Sequence, residues 1–324
     1  MPERKHLYIE PHKDEHLGIY KQFWSSVKRL LNWIGHDRLP EFAQVAVSVA
    51  RSAGQVSLQS EPYPIPDEGC SIMTVLSANL WHDWPRHRGL QTRLESFAEL
   101  VISEKADLVL LQEVARTKAF HADEWLAQRL QMAHVYTRAN GSHKLGFEEG
   151  LGVFSRFPLK KLPFVRQMSQ AHNPFSRRVA LGVEVDTPCG EIVAFSVHLG
   201  LTRKQNEKQL RELYTWVNKI SLGRSAIIAG DFNTHENTHQ IKHVRSYWQD
   251  TFREMQKNGH APTYEIHWPW GGVFLSHRLD YIFLQPGEPA WQVVDVKHID
   301  APDGPHSDHR AVLARLASSH LIES

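Results

Sequence analysis

Between residues 71 and 316 the chain repeatedly builds an apolar run of strand length and then stops it at one polar residue. "SIMTVLSAN" stops at Asn79, "LVLLQE" at Glu113, "IVAFSVH" at His198 and "AIIAGD" at Asp231. Runs this short, bounded by turn residues, read as buried strands. Between them lie segments with apolar residues three or four apart, such as Leu90, Leu94, Phe97 and Val101 in "LQTRLESFAELVISEKA". "ADEWLAQRLQM" and "QNEKQLRELYTWVNKI" repeat that spacing. Each therefore carries a single apolar stripe and must cover a sheet rather than be surrounded by one. The two runs within 179–198 flank a Pro-Cys-Gly turn, which implies an antiparallel pair. "RLDYIFL", "WQVVDVKHI" and "HRAVLARL" complete the strands. The expected class is α/β (α+β), with mixed sheets packed together and helices outside.

Residues 1–69 have a different texture. Ile19, Phe23, Val27, Leu30 and Ile34 recur at helical spacing, with Lys21, Lys28 and Arg29 between them. A second helix is expected from Pro40 through "EFAQVAVSVARSAG", and the three prolines of "EPYPIPDEG" mark a linker. The chain thus divides into a helical N-terminal extension with a Pro-rich linker, 1–69, and one large domain, 70–324. The basic, aromatic helix 19–34 suits peripheral contact with a membrane surface. Docking on the main domain or on a second subunit is the simpler explanation of its stripe. The N-terminus lacks the apolar core of a signal peptide, and no apolar run is long enough to span a bilayer. Cys70 and Cys189 are too far apart for a zinc knuckle and make no disulfide framework. A soluble, cytoplasmic protein without an integral membrane segment is expected.

Strand ends converge on one rim of a sheet, so polar groups scattered in sequence can meet there. Asp280 opens "YIFL", and Asp308 with His309 precedes "AVLARL", joining the four stops above. Glu113 and Asn79 offer hard oxygen ligands, which suit Mg²⁺ or Mn²⁺ better than zinc. Asp231 can orient or deprotonate an attacking water, and Asn233 can donate to a phosphate oxygen. His309, beside a carboxylate, suits general acid or base work near neutral pH. No G-x-S-x-G elbow occurs, so direct attack by water is the simpler chemistry.

These motifs, "SANLW", "LLQEV", "GVFSRFPL", "SVHLG", "AGDFN", "RLDYIF" and "SDHRAV", stand in the order of the DNase-I-like endonuclease/exonuclease/phosphatase superfamily, which the chain resembles from about residue 71 to 316. The resemblance implies a four-layer sandwich, two packed mixed β-sheets flanked by helices, and metal-dependent hydrolysis of a phosphoester. It implies metal-site roles for Asn79 and Glu113, with Asp308 adjoining, and contact of His198 with the scissile phosphate. Asp231 and Asn233 match the pair that positions water and stabilises the transition state. His309 matches the essential histidine, supported by Asp280. Trp81 stands where apurinic endonucleases carry an aspartate, which sets the chain apart from them.

A DNase-like nuclease is the favoured reading because both histidines are present. A phospholipid or sphingomyelin phosphodiesterase is the alternative, followed by a phosphomonoesterase. The formal net charge of +1 argues against strong nonspecific DNA binding. Arg178, Arg203, Trp268 and Trp270 are candidate substrate contacts, the tryptophans by stacking on bases or by entering a lipid interface. Arg156 and Arg178 are explained equally well by structural ion pairs.

"HENTH", residues 235–239, matches the H-E-x-x-H pattern of zinc metalloproteases, the remote alternative. A zincin needs that motif inside a long helix, whereas here it opens from a strand end. His235, His239 and His243 are instead expected on one face of a short helix. "EIHWPWGGVFLSHR" reads as an aromatic loop.

Overall fold

Alternation of inward and outward side chains decides the architecture. In β2 (Ile72–Asn79), Met73 and Val75 enter one core while Leu76 and Ala78 enter another. In β3 (Leu108–Thr117), Leu108 and Leu110 face the first core, and Val109 and Leu111 the second. Such strands have two buried faces and must lie between two layers.

The computed structural model describes residues 56–62, 72–142, 146–170, 177–301 and 304–318. The expected helices at 19–34 and after Pro40, and most of the linker, lie outside the described residues. The described residues all fall within the second of the chain's two units, Val49–Ser324.

The first sheet has seven strands, in the order β1 (Val56–Gln59), β4 (Ala133–Ser142), β5 (Phe147–Ser155), β3, β2, β15 (Ala311–Ser318) and β14 (Trp291–Ile299). The second has six: β10 (Gln249–Asp250), β13 (Asp280–Gln285), β9 (Ala226–Asp231), β8 (Gly190–His198), β7 (Val179–Thr187) and β6 (Phe164–Gln167). Both are mixed: β2 runs parallel to β3 and β8 parallel to β9, while other neighbours are antiparallel. The central core joins the inner faces, for example Val75, Leu110, Val153 and Ala314 from one sheet with Val183, Ala194, Ile227 and Ile282 from the other.

Helices α1 (Leu90–Ser103) and α2 (Ala122–Leu130) cover the outer face of the first sheet through Leu94, Phe97, Val101 and Leu126. Helix α3 (Arg203–Ser221) covers the second through Leu210, Leu213 and Val217. The result is the expected helix–sheet–sheet–helix sandwich. No helix of the described residues is long and apolar enough to cross a membrane.

Three local features depart from the sequence reading. Val56–Gln59, inside the expected extension and linker, forms β1 and pairs antiparallel with β4. The supposed aromatic loop is a hairpin of β11 (Tyr264–His267) and β12 (Val273–His277). Its strands are irregular and partly exposed, so they show no alternation to read. The histidine-rich helix α4 covers only His239–Val244, capped by the Thr238 side chain. His239 and His243 share its face, but His235 lies before the cap and stacks on His277 at 4.9 Å. A fifth short helix, α5 (Thr251–Met255), follows β10.

Candidate active site

Register brings the expected residues to one rim. His198 ends β8 beside Asp231, the end of β9, and Asp280, the start of β13, pairs with Asp231 from the other side. Gly230 makes this approach fit: its φ is 146°, and a Cβ there would lie 1.9 Å from the Val197 carbonyl oxygen. In the first sheet Asn79 ends β2 beside Gln112. A register break between Leu111 and Val114 places Glu113 at φ 55°, a left-handed conformation that L-residues rarely adopt. Beneath the rim, Gln112 Nε2 donates to Ser196 Oγ at 3.2 Å, tying the sheets together.

Asn79 joins the two halves of the site. Its Nδ2 donates to Glu113 Oε1 at 3.1 Å and to Asp231 Oδ2 at 3.2 Å, while its Oδ1 accepts from the Trp81 amide. Asp231 Oδ1 accepts from the Asn233 amide at 2.8 Å, and Asn233 Nδ2 donates to the Leu199 carbonyl. His198 Nε2 lies 3.5 Å from Asp231 Oδ2. His309 Nδ1 lies 2.8 Å from Asp280 Oδ2, and the Asp280 amide is held by Thr263 Oγ1. Asp231, Asp280 and His309 are all buried, with ligand atoms within 4.8 Å of one another.

The two histidines are driven to opposite charge states. Burial, reinforced by the Arg178 charge, holds His198 well below its ordinary range, so it is neutral at pH 7. Burial also disfavours charge on His309, but the Asp280 carboxylate overrides it and lifts the imidazole to about 10. Burial and repulsion from Asp280 push Asp231 up to about 7. Environments that separate such groups are how one site holds both an acid and a base.

The donor set fits a hard divalent cation. Asp280 Oδ1 is buried without a hydrogen-bond partner, and Asp231 crowds against it, so negative charge here is undercompensated. Glu113 brings another carboxylate alongside, linked to Asp231 through the Asn79 amide. Asp308 is exposed at the rim and accepts from Ser307 Oγ.

Arg178 is buried, its charge bears on His198 and Asp231, and its Nε has no hydrogen-bond partner among the described residues. Arg203 is exposed at the start of α3. Trp268 and Trp270, expected as possible substrate contacts, stack on each other at the tip of the β11–β12 hairpin. Arg156 pairs with Asp107 at 3.5 Å, a structural role.

Three residues of the site escaped the sequence reading. His82 donates from its backbone to Glu113 Oε2, and its Nδ1 lies 2.5 Å from the same oxygen. Desolvation lowers the His82 imidazole, but Glu113 outweighs it and lifts it to about 9. Glu113 is in turn held well below the usual carboxylate range, against the effect of burial. Buried Glu149 senses both His82 and Arg178, and burial raises it. Tyr264 packs its ring 4.6 Å from His309 and forms a backbone bridge with it. Only the place of His82, three residues after Asn79, hinted at a role.

"HENTH" fails as a zinc site on this geometry. Glu236 is engaged by Arg245 at 3.1 Å and Arg253 at 2.5 Å, and the motif straddles a helix cap instead of lying within a helix.

An uncharacterised protein of Escherichia coli K12, YbhP, is 28% identical over 207 residues, covering 59% of this chain and 77% of that one. An endonuclease/exonuclease/phosphatase from Beutenbergia cavernae superposes with a TM-score of 0.62 at 22% identity, covering 76% of this chain and 72% of that chain. A mannosyl-6-phosphatase of Bacteroides thetaiotaomicron shares the fold at a TM-score of 0.58 and 19% identity, covering 76% and 99%. The model of the Endonuclease/Exonuclease/phosphatase family matches residues 76–309, enclosing the rim from β2 to His309. The chain belongs to that family and is a hydrolase of phosphoester bonds.

Proposed function

We propose that the chain is a divalent-metal-dependent phosphodiester hydrolase with water as its nucleophile. The observation that carries this reading is the Asp280–His309 pair set beside Asp231 and neutral His198. Glu113 and Asn79, with Asp308 at the rim, would hold Mg²⁺ or Mn²⁺, and when bound the ion neutralises charge on the phosphate. Asp231 orients the water in line and accepts its proton, a role suited to a carboxyl raised to about 7. His309, fixed through Nδ1 to Asp280, keeps Nε2 free to donate a proton or a hydrogen bond to the reacting phosphate. His198 and Asn233 stabilise the oxygens that gain charge, and the buried Arg178 charge, which bears on His198 and Asp231, adds to that stabilisation.

A polynucleotide is the first substrate reading, supported by the DNase-like pair of histidines. A phospholipid or sphingomyelin diester is the second, supported by the exposed, uncharged aromatic tip of the β11–β12 hairpin. A phosphomonoester is the third, given the shared fold of the mannosyl-6-phosphatase. Plasmid nicking measured beside phospholipid release, with Mg²⁺ and with Mn²⁺, separates them. His309→Ala and Asp231→Ala should each lower turnover at least ~100-fold with unchanged circular dichroism, and EDTA should silence the wild type. Near-normal activity in either variant would sink the assignment.

A further inference from the structure

The hairpin of β11 and β12 is rooted in the catalytic rim. Thr263, just before β11, holds the Asp280 amide, and Tyr264, its first residue, bridges His309. Four residues further on, roughly 14 Å along an extended strand, the chain turns through Trp268, Trp270, Val273 and Phe274. These side chains are 42%, 79%, 51% and 53% exposed. They are ordered against one another: the Trp268 and Trp270 rings stack at 5.0 Å, and Phe274 meets Trp268 edge-on at 4.5 Å. Elsewhere among the described residues, exposed large apolar side chains are scattered along the chain. An organised apolar cluster left in water marks a contact surface.

Charge and size select the partner. Residues 266–275, "IHWPWGGVFL", contain no Asp, Glu, Lys or Arg. A surface that grips a polynucleotide needs cations for the backbone beside its stacking rings, and this tip has none. The exposed parts of the four side chains amount to roughly 500 Å², taking 150–250 Å² for an aromatic side chain. A stable dimer covers about 800 Å² per partner, so a second copy is poorly matched. Uncharged aromatic rings on a narrow projection suit the headgroup boundary of a bilayer.

We propose that the β11–β12 tip docks the protein on a zwitterionic phospholipid surface, inserting Trp270 and Phe274 at the interface. Docking itself requires no turnover. Its consequence, delivery of headgroup phosphodiesters to the rim beside His309, rests on the proposed function.

The test is co-sedimentation of the full chain with phosphatidylcholine vesicles in EDTA, with thermal melts of each variant to verify folding. Wild type should sediment. Trp270→Ser and Phe274→Ser should each weaken partitioning about tenfold, the effect of losing one large apolar anchor, and Trp270→Phe should retain most of it. Failure of the wild type to sediment, or serine variants that bind as it does, would overturn the proposal. So would oligonucleotide binding or concentration-dependent dimerisation that Trp270→Ser abolishes. Hydrolysis of soluble bis(p-nitrophenyl) phosphate with Mn²⁺, measured in parallel on the wild type, keeps the two readings apart. Hydrolysis without vesicle binding overturns docking alone, whereas vesicle binding without hydrolysis supports docking and removes the phosphodiesterase reading.

Discussion

Glu113 occupies a conformation that costs about 1 kcal/mol or more for a non-glycine residue. The bulge that imposes it also turns the carboxylate toward Asn79 and His82. Because His82 bonds the oxygen opposite the one facing Asn79, it would fix how Glu113 is presented to the proposed cation. Removing such an outer partner commonly weakens metal affinity ~10–100-fold. His82→Ala should therefore shift the Mn²⁺ concentration needed for half-maximal diester hydrolysis upward by that order. An unchanged metal dependence would leave His82 a structural residue only. The strand-end rule made Asn79, His198 and Asp231 legible, because apolar runs announce where a strand stops. It singled out Glu113 too, but β3 does not stop there and runs on through a bulge to Thr117. The rule could not reveal His82 or Glu149, whose roles arise from neighbours far away in sequence.

At the level of elements, Glu236 shows how a motif can mislead. It lies between β9 and α4, and Arg245, Arg253 and Arg278 converge on it and on Asp250. Burial opposes its charge, yet these guanidiniums hold the carboxyl down at about 2. Glu236→Ala would leave like charges together in a half-buried place. It should lower unfolding stability by about 2 kcal/mol, read from urea melts, while metal-dependent diester hydrolysis persists. Loss of hydrolysis without loss of stability would restore a catalytic role to "HENTH". The β11–β12 hairpin was illegible for a related reason. Its side chains are partly exposed and none joins a core cluster, so neither core imposes a period of two on the sequence.

For the whole molecule, buried titratable groups predict acid lability. Asp123 is fully buried; burial would raise it, but Arg116 and His134 hold it at about 2 instead of 3.8. Its stabilisation, about 2 kcal/mol, is complete above its unfolded value and lost as pH falls toward 2. Burial keeps His298 neutral down to about 3 and His306 down to about 4. Unfolding frees both to protonate, so their cost begins below 6.5 and grows toward those values. The melting temperature in a calorimetric pH series should drop steeply below pH 4. Between 6.5 and 4 the histidine cost is opposed by Asp231, whose raised carboxyl gains stability as it protonates. Asp123→Asn should be less stable at neutrality and flatter in acid. A flat profile from pH 7 to 3 would show that these groups are not held as described.

Strand-length apolar runs and helical stripes are local properties, set by which side chains must leave water, and they determined the class, the layers and most of the rim from the sequence alone. Ordered motifs added the expected chemistry. Pairing partners were beyond its reach, because register depends on contacts between residues as distant as Asn79 and Asp231. Only the tertiary structure decided that Glu113 stands on a bulge, that His198 is held neutral while His309 is charged, and that Glu236 belongs to an arginine cluster. It also decided that four apolar side chains project from a hairpin whose base is anchored at His309. Each of these is a relation between charges, rings or backbone atoms that meet only after folding.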